Sequence, residues 1–304
     1  MIDPPGGGNY TPGRMNFRQV SILGVGLLGG SLGLALKRRR LAETVVGVGH
    51  RPSTLETAAA RGAIDRWTLS PAEGVAGSDL VVLATPVGRF APLMAEAAPA
   101  LAPGCLLTDV GSTKRAVLEA VLPLLPPTCH FVGSHPLAGS EARGIEAARE
   151  DLYQGALVLV TPTAAAIPAA AADEYESAVR RTEQLWQAVG GRTQRIGAAM
   201  HDHLLAQTSH LPHLAASLLV ESLADEAAGL VSSGFLDTTR VASGDPAMWR
   251  DIFMTNRDEV LRALERLETA LAEAKAALTS GDAPAMEALL QRAKHRRDRL
   301  RRGQ

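Results

Sequence analysis

The chain reads as two unlike parts, an α/β domain built on a parallel sheet followed by an all-α domain, and three features predict this. A short apolar run, Val20-Ser21-Ile22-Leu23, breaks into a glycine turn and continues as a helix. Apolar strand-like runs then alternate with helical patterns as far as Thr161, the order expected of a parallel sheet with right-handed crossovers. Beyond about Ala172 the spacing reads as helical throughout.

The bulk numbers suit this division. At 304 residues, 46% hydrophobic and 21% charged, the chain is long enough for two cores. A net charge of -1 gives no general attraction to nucleic acid or anionic membrane, and the basic run Lys294 to Arg302 is local, as favoured at a helix C-terminus. No apolar run reaches the roughly 20 residues that span a bilayer. Cys105 and Cys129 form no disulfide framework and fit a reducing cytoplasm. Residues 1–16, rich in glycine and proline and without an apolar core, read as a disordered leader.

The glycine turn carries the first functional signal. In Gly24-Val25-Gly26-Leu27-Leu28-Gly29 the first glycine permits the tight turn, the second lets backbone approach a pyrophosphate, and the third lets helix pack on strand. The anion then rests on a helix N-terminus, which makes residues 17–165 a Rossmann-type dinucleotide-binding domain with Gly24, Gly26, Leu27, Leu28 and Gly29 at the cofactor. The second strand, Val45 to Gly49, should end beside the adenosine ribose, where an NAD site offers Asp or Glu. Here the chain reads Gly49-His50-Arg51-Pro52-Ser53. His50, Arg51 and Ser53 could hold a 2′-phosphate, which favours NADP and leaves NAD possible; the alternative is a solvent-facing Arg51 that accepts either.

Ligands of open α/β sheets bind outside the carboxyl ends of the strands. Asp79 to Ala84 leads into Thr85-Pro86, and Cys105 to Val110 leads into Gly111-Ser112-Thr113-Lys114. A third stretch, Phe131 to Glu141, packs an imidazole, two hydroxyls and a carboxylate between glycines, and Pro136 keeps His135 extended on a strand end or loop. Thr85, Pro86, Ser112 and His135 should line one crevice. Ser112 could instead cap the next helix, and Lys114 could be a solvated first-turn residue.

The Ala/Pro-rich stretch Thr163 to Ala172 marks the domain border, placed at 165/166, with residues 166–304 as a helical substrate and dimerisation domain. His201, His203, His210 and His213 crowd one helical segment, which Pro212 should kink or break. They lack metal-ligand spacing and a supporting cysteine or carboxylate cluster, so no metal is expected. Arg240 suits bidentate carboxylate binding, or else an ion pair. Leu264, Leu267, Leu271, Ala274 and Leu278 form a packed helical seam, either a homodimer interface or an intrachain hairpin. Asp282 and Pro284 should start a last helix.

Together Gly24 to Ser31, Asp109 to Lys114, Gly133 to Glu141, Ser209 to His213 and Asp245 to Asp251 resemble the prephenate/arogenate dehydrogenases of tyrosine biosynthesis. The resemblance implies a hydride removed from the ring carbon bearing the 4-hydroxyl of a cyclohexadienyl acid, with loss of CO2. It implies His135 as acceptor of the hydroxyl proton, Ser112 as its hydrogen-bonding partner, and Arg240 as the clamp for a substrate carboxylate. His213 and Ser140 match residues lining the substrate pocket and Glu141 one near its mouth; His201, Asp237 and Trp249 match supporting positions. The missing ribose acid departs from NAD-preferring members, and no regulatory domain of the kind some members carry is expected after the helical half. Two rivals remain: a β-hydroxyacid dehydrogenase-like reductase, disfavoured because no lysine falls between Lys114 and Lys275, and a non-catalytic dinucleotide sensor.

Overall fold

The computed structural model describes residues 16–139, 142–163 and 171–302. Residues 1–15 of the expected leader, Ser140, Glu141 and the 165/166 border lie outside them.

In chain order Phe17–Leu23 forms β1, Leu27–Arg39 α1, Ala42–Val48 β2, Pro52–Ala60 α2, Arg66–Thr68 β3 and Pro71–Val75 α3. Leu80–Leu83 forms β4, Phe90–Ala97 α4, Leu106–Asp109 β5, Arg115–Val121 α5 and His130–Phe131 β6. These six strands are all parallel, in the order β3-β2-β1-β4-β5-β6. Both faces are covered, so the central strands are apolar without alternation: Val20, Ile22 and Leu23 in β1 and all of β4 are fully buried. Strand order reverses between β1 and β4, which opens a crevice beyond their carboxyl ends.

The His135 stretch is a buried strand. Gly133–Pro136 forms β7, which pairs antiparallel with β8 (Leu157–Thr161); α6 (Ala172–Ala188) then returns the chain to β9 (Arg192–Arg195), parallel to β8. The expectation of helix alone beyond Ala172 is therefore corrected. Tyr175, Ala178, Val179, Leu185 and Trp186 of α6 share the core of β1 and α1, so the chain packs with the sheets as far as Arg195. The Arg-Thr-Gln-Arg sequence of β9 carries no apolar residue, and an edge strand held by backbone pairing leaves no pattern to read. Likewise β3 is only three residues long, Arg-Trp-Thr, and pairs at the sheet edge with β2.

The second half begins with α7 (Ala198–Leu205), a π-helical turn over Ala206–His210, and α8 (Leu211–Glu221). The break expected from Pro212 is taken up by this π turn, and the proline sits in the first turn of α8, where its missing N–H costs nothing. There follow α9 (Ser233–Thr239), a 3-10 turn over Arg240–Ser243, α10 (Pro246–Thr255), α11 (Arg257–Ser280) and α12 (Ala283–Arg302). The last two form an intrachain hairpin turned at Gly281, and the Asp282 carboxylate accepts the Ala285 N–H at 3.0 Å. Leu271 and Leu278 nevertheless stay exposed, while Leu264, Leu267 and Ala274 are half-buried.

The glycine turn is closed by contact. A Cβ on Gly29 would stand 2.0 Å from the Gly24 carbonyl oxygen, so Gly29→Ala must push α1 off β1. Overpacking of this kind costs about 1–3 kcal/mol, and urea unfolding should show a lower midpoint with an unchanged slope.

Candidate active site

The cofactor-turn residues come together at the switch point. Gly24 adopts φ +101°, and its α-carbon is so close to the Ala84 carbonyl and the Thr85 methyl that a Cβ would stand 2.7 Å from each. A Cβ on Gly26 would meet nothing within 4 Å, leaving the open space at the start of α1 that a pyrophosphate requires. Leu27 and Leu28 are half-buried there, and the Leu28 carbonyl accepts from the Tyr153 hydroxyl at 2.7 Å. Thr85 lies beside Gly24, and Pro86 follows it on the surface. His50, Arg51 and Ser53 are exposed between β2 and the first turn of α2, where Arg51 Nε donates to His50 Nε2 at 3.0 Å. No carboxylate replaces them there.

Beyond β5 and β7 lies a chain of polar groups running into the helical half. His135 Nδ1 is 2.9 Å from His201 Nε2, and His201 Nδ1 is 2.8 Å from Asp202 Oδ1. The Asp202 carboxylate also accepts the backbone N–H groups of Lys114 and Arg115 at 2.8 and 2.9 Å. It thereby caps α5 in place of Ser112, which is half-buried in the preceding turn. Lys114 is not solvated: it is fully buried, its ammonium paired with Asp109 and donating to the Ser134 carbonyl at 2.8 Å. Asp109 accepts the N–H groups of Gly111 and Ser134 as well. Buried ions persist only when paired in this way.

Electrostatics keep the imidazoles neutral. Burial, then the nearby His201, Lys114 and His210, hold His135 well below its ordinary value. Burial lowers His201 despite the opposing pull of its Asp202 hydrogen bond. Burial favours the protonated form of Asp202, but its hydrogen bonds from His201 and the α5 backbone win and keep it a carboxylate. His210 and His213 are each pushed down to about 4, chiefly by burial.

The outer wall comes from the second half. His213 stacks on Trp249 at 3.5 Å between ring centres, and a Cβ on Gly244 would strike both rings. Arg240 is exposed and opens the 3-10 turn that packs on α8, the helix carrying His213. Arg143, just past the β7 loop, donates to Asp245 at 2.7 Å and to the Ser243 carbonyl at 3.2 Å, joining that turn to the sheet half. Among the described residues no group of three or more His, Cys, Asp or Glu could hold a metal ion, and no helix is long and apolar enough to cross a membrane.

Two domain families match this architecture: "Prephenate dehydrogenase, nucleotide-binding domain" over residues 32–194 and "Prephenate dehydrogenase, dimerization domain" over residues 197–292. The chain belongs to the prephenate dehydrogenase family. The two matches meet between residues 194 and 197, at the packing seam after β9. Similar proteins include the prephenate dehydrogenase of Bacillus subtilis, 33% identical over 80% of this chain and 65% of that one. This chain thus spans just under two thirds of that relative. The cyclohexadienyl dehydrogenase of Zymomonas mobilis is 33% identical over 88% of this chain and 90% of its own. Among solved structures, prephenate dehydrogenase from Aquifex aeolicus, in complex with hydroxyphenyl propionate and NAD+, superposes with a TM-score of 0.84. It is 30% identical and covers 93% of this chain and 98% of that one.

Sequence reasoning left Asp202, Asp109 and Asn256 of this cluster unassigned. An adjacent His-Asp pair in a helix was the only available signal for Asp202. Asn256 is fully buried between α10 and α11 and offered none.

The neutral histidines make stability pH-dependent. Between the unfolded value of 6.5 and the folded value of about 4, the unfolded chain binds protons that His210 and His213 refuse when folded, so stability falls as pH falls across that window. Urea midpoints should drop from pH 7 to pH 4.5. In His210→Gln the drop should be shallower by about one proton's worth.

Proposed function

We propose that this chain oxidatively decarboxylates a cyclohexadienyl acid, prephenate to 4-hydroxyphenylpyruvate or L-arogenate to L-tyrosine, in tyrosine biosynthesis. The observation that carries this reading is the buried Asp202–His201–His135 hydrogen-bond chain.

The chain fixes proton positions. A carboxylate only accepts, so His201 holds its proton on Nδ1 and accepts at Nε2. His135 must then donate from Nδ1, which leaves Nε2 with a lone pair. That atom takes the proton of the substrate 4-hydroxyl, a task suited to a neutral imidazole. His201 and Asp202 hold the ring in orientation and stabilise the cation it becomes. Ser112 supplies the second hydrogen bond to the hydroxyl. Arg240 binds a substrate carboxylate, and His213, held flat on Trp249, lines the pocket; the family resemblance alone adds Ser140 and Glu141 as substrate-binding residues.

Gly24, Gly26, Leu27, Leu28, Gly29, Thr85 and Pro86 hold the nicotinamide nucleotide, which when bound accepts the hydride. NADP is favoured over NAD because Arg51 and His50 stand at the end of β2 where no carboxylate opposes a 2′-phosphate. The exposed Leu271 and Leu278 of α11, inside the match to a dimerization domain, support a homodimer built on the C-terminal helices. The free thiols Cys105 and Cys129 fit the cytoplasm.

The test is reduced-cofactor absorbance with prephenate or L-arogenate, each with NAD+ or NADP+; no turnover with any of the four pairs would overturn the proposal. His135→Asn should lower kcat about 10²–10⁴-fold with cofactor affinity kept, and full retention of kcat would remove His135 as base. Arg240→Gln should chiefly raise KM for the acid. Since burial holds His135 below 6.5, wild-type kcat/KM should be flat through neutral pH and fall only as acid protonates the base.

Arg51→Gln separates the cofactors. KM for NADP+ should rise about tenfold, the loss of one charge-assisted contact, while KM for NAD+ stays put. Equal effects on both would count against a 2′-phosphate site.

A further inference from the structure

Lys114 has no part in the scheme above, yet it touches that scheme at both ends. Its side chain is fully buried. The ammonium pairs with Asp109 and donates to the Ser134 carbonyl at 2.8 Å, and the peptide bond of that carbonyl carries the backbone N–H of His135. Its own backbone N–H donates at 2.8 Å to Asp202 Oδ1, the same oxygen that His201 Nδ1 reaches at 2.8 Å. From His201 the chain continues to His135 Nδ1 at 2.9 Å. One residue therefore closes the three side chains into a ring.

The partner of the ammonium extends this to Ser112. Asp109 ends β5 and Lys114 stands immediately before α5, and the turn between them carries Ser112. Asp109 Oδ2 accepts the Gly111 N–H at 2.8 Å as well as the ammonium, and Oδ1 accepts the Ser134 N–H at 2.9 Å. Both oxygens act only as acceptors, the pattern of an ionised carboxylate facing an ammonium. A Cβ on Gly111 would stand 2.7 Å from Oδ2, so the turn fits the carboxylate without slack. Apolar residues of similar volume often replace a buried ion pair at no loss of stability, so stability alone gives no reason for charge here.

We propose that Lys114 is a positioning residue for the proton transfer: with Asp109 it staples the turn that presents Ser112, and it fastens both ends of the His135–His201–Asp202 chain to that staple. The inference rests on the dehydrogenase reading for what His135 and Ser112 act on. The charge of the ammonium works in the same sense. The groups acting on His135 are His201 from α7, Lys114 beside α5 and His210 from the π turn; Asp202 and Asp109 act on His201, favouring its cation, while Lys114 opposes it. A cation on His135 is thus disfavoured by Lys114, which keeps the base free to accept.

Two variants test it, because Lys114→Met leaves the Asp109 carboxylate buried without its partner, whereas Asp109→Asn/Lys114→Met removes both charges and keeps an amide oxygen for the Ser134 N–H. In the folded double variant kcat should fall about 10²-fold, the cost of a misplacement near the reacting atoms, with the Kd for NADP+ unchanged. Its kcat/KM should begin to fall at a pH about one unit higher than in wild type, the reach of a unit charge several ångströms away inside a protein. The imidazole 13C resonances of His135, assigned against His135→Asn, should titrate higher by the same amount, a readout that needs no turnover. A double variant with wild-type kcat, or one whose His135 titrates as in wild type, would overturn the inference; lowered stability with neither change is the pattern of a merely structural pair. Absence of turnover with every substrate pair would sink the preceding proposal alone, and the His135 titration would still decide this one.

Discussion

The Asp202 carboxylate is the interaction on which the two halves of the molecule depend. It is wholly buried on α7 of the helical half, yet its oxygens accept two N–H groups that begin α5 of the sheet half. Helix N-termini leave such donors without intrahelical partners and favour negative charge. One buried ion thus caps a helix from across the seam and orients His201 on its other side. A buried charge is tolerated only with partners of this quality, so the relative placement of the halves and the state of the imidazole chain are set by the same group.

A second buried pair performs the matching task within the sheet half. Lys114 and Asp109 tie the end of β5 to β7 through the Ser134 backbone, and the Ser134 hydroxyl is held by Thr108 at 2.8 Å and by the Trp186 indole at 2.9 Å. His135, the next residue, inherits a backbone that cannot shift independently of β5. The burial that makes these polar bonds strong also favours the neutral form of His135, His201, His210 and His213. A hydrogen-bond acceptor poised at neutral pH follows from packing rather than from any unusual residue.

Much of the arrangement was readable before folding. The glycine turn at 24–29 declares itself because only residues without Cβ permit its turn and its helix–strand contact, and fully buried parallel strands are apolar whatever their neighbours. The stretches around Ser112 and His135 stood out because glycine, proline and hydroxyl residues are costly inside regular elements and concentrate at strand ends. By contrast β9 was invisible, since an edge strand of Arg-Thr-Gln-Arg owes its conformation to β8 and not to its own side chains. The burial of Lys114 was not legible because a charged side chain beside a helix start ordinarily faces water, and its partner Asp109 becomes available only when β5 ends where it does.

What the sequence determined by itself was therefore local: which segments turn, which are buried on both faces, and which residues carry chemistry. Only the tertiary structure decided which of them meet. His135 and His201 lie 66 residues apart, Lys114 and Asp202 88, and Asn256 and His210 46; nothing in the spacing announces these pairs. Periodicity reports the burial of one face of one element, whereas tautomers, buried ion pairs and a cap supplied across the seam depend on groups whose distance is set by the packing of all the others.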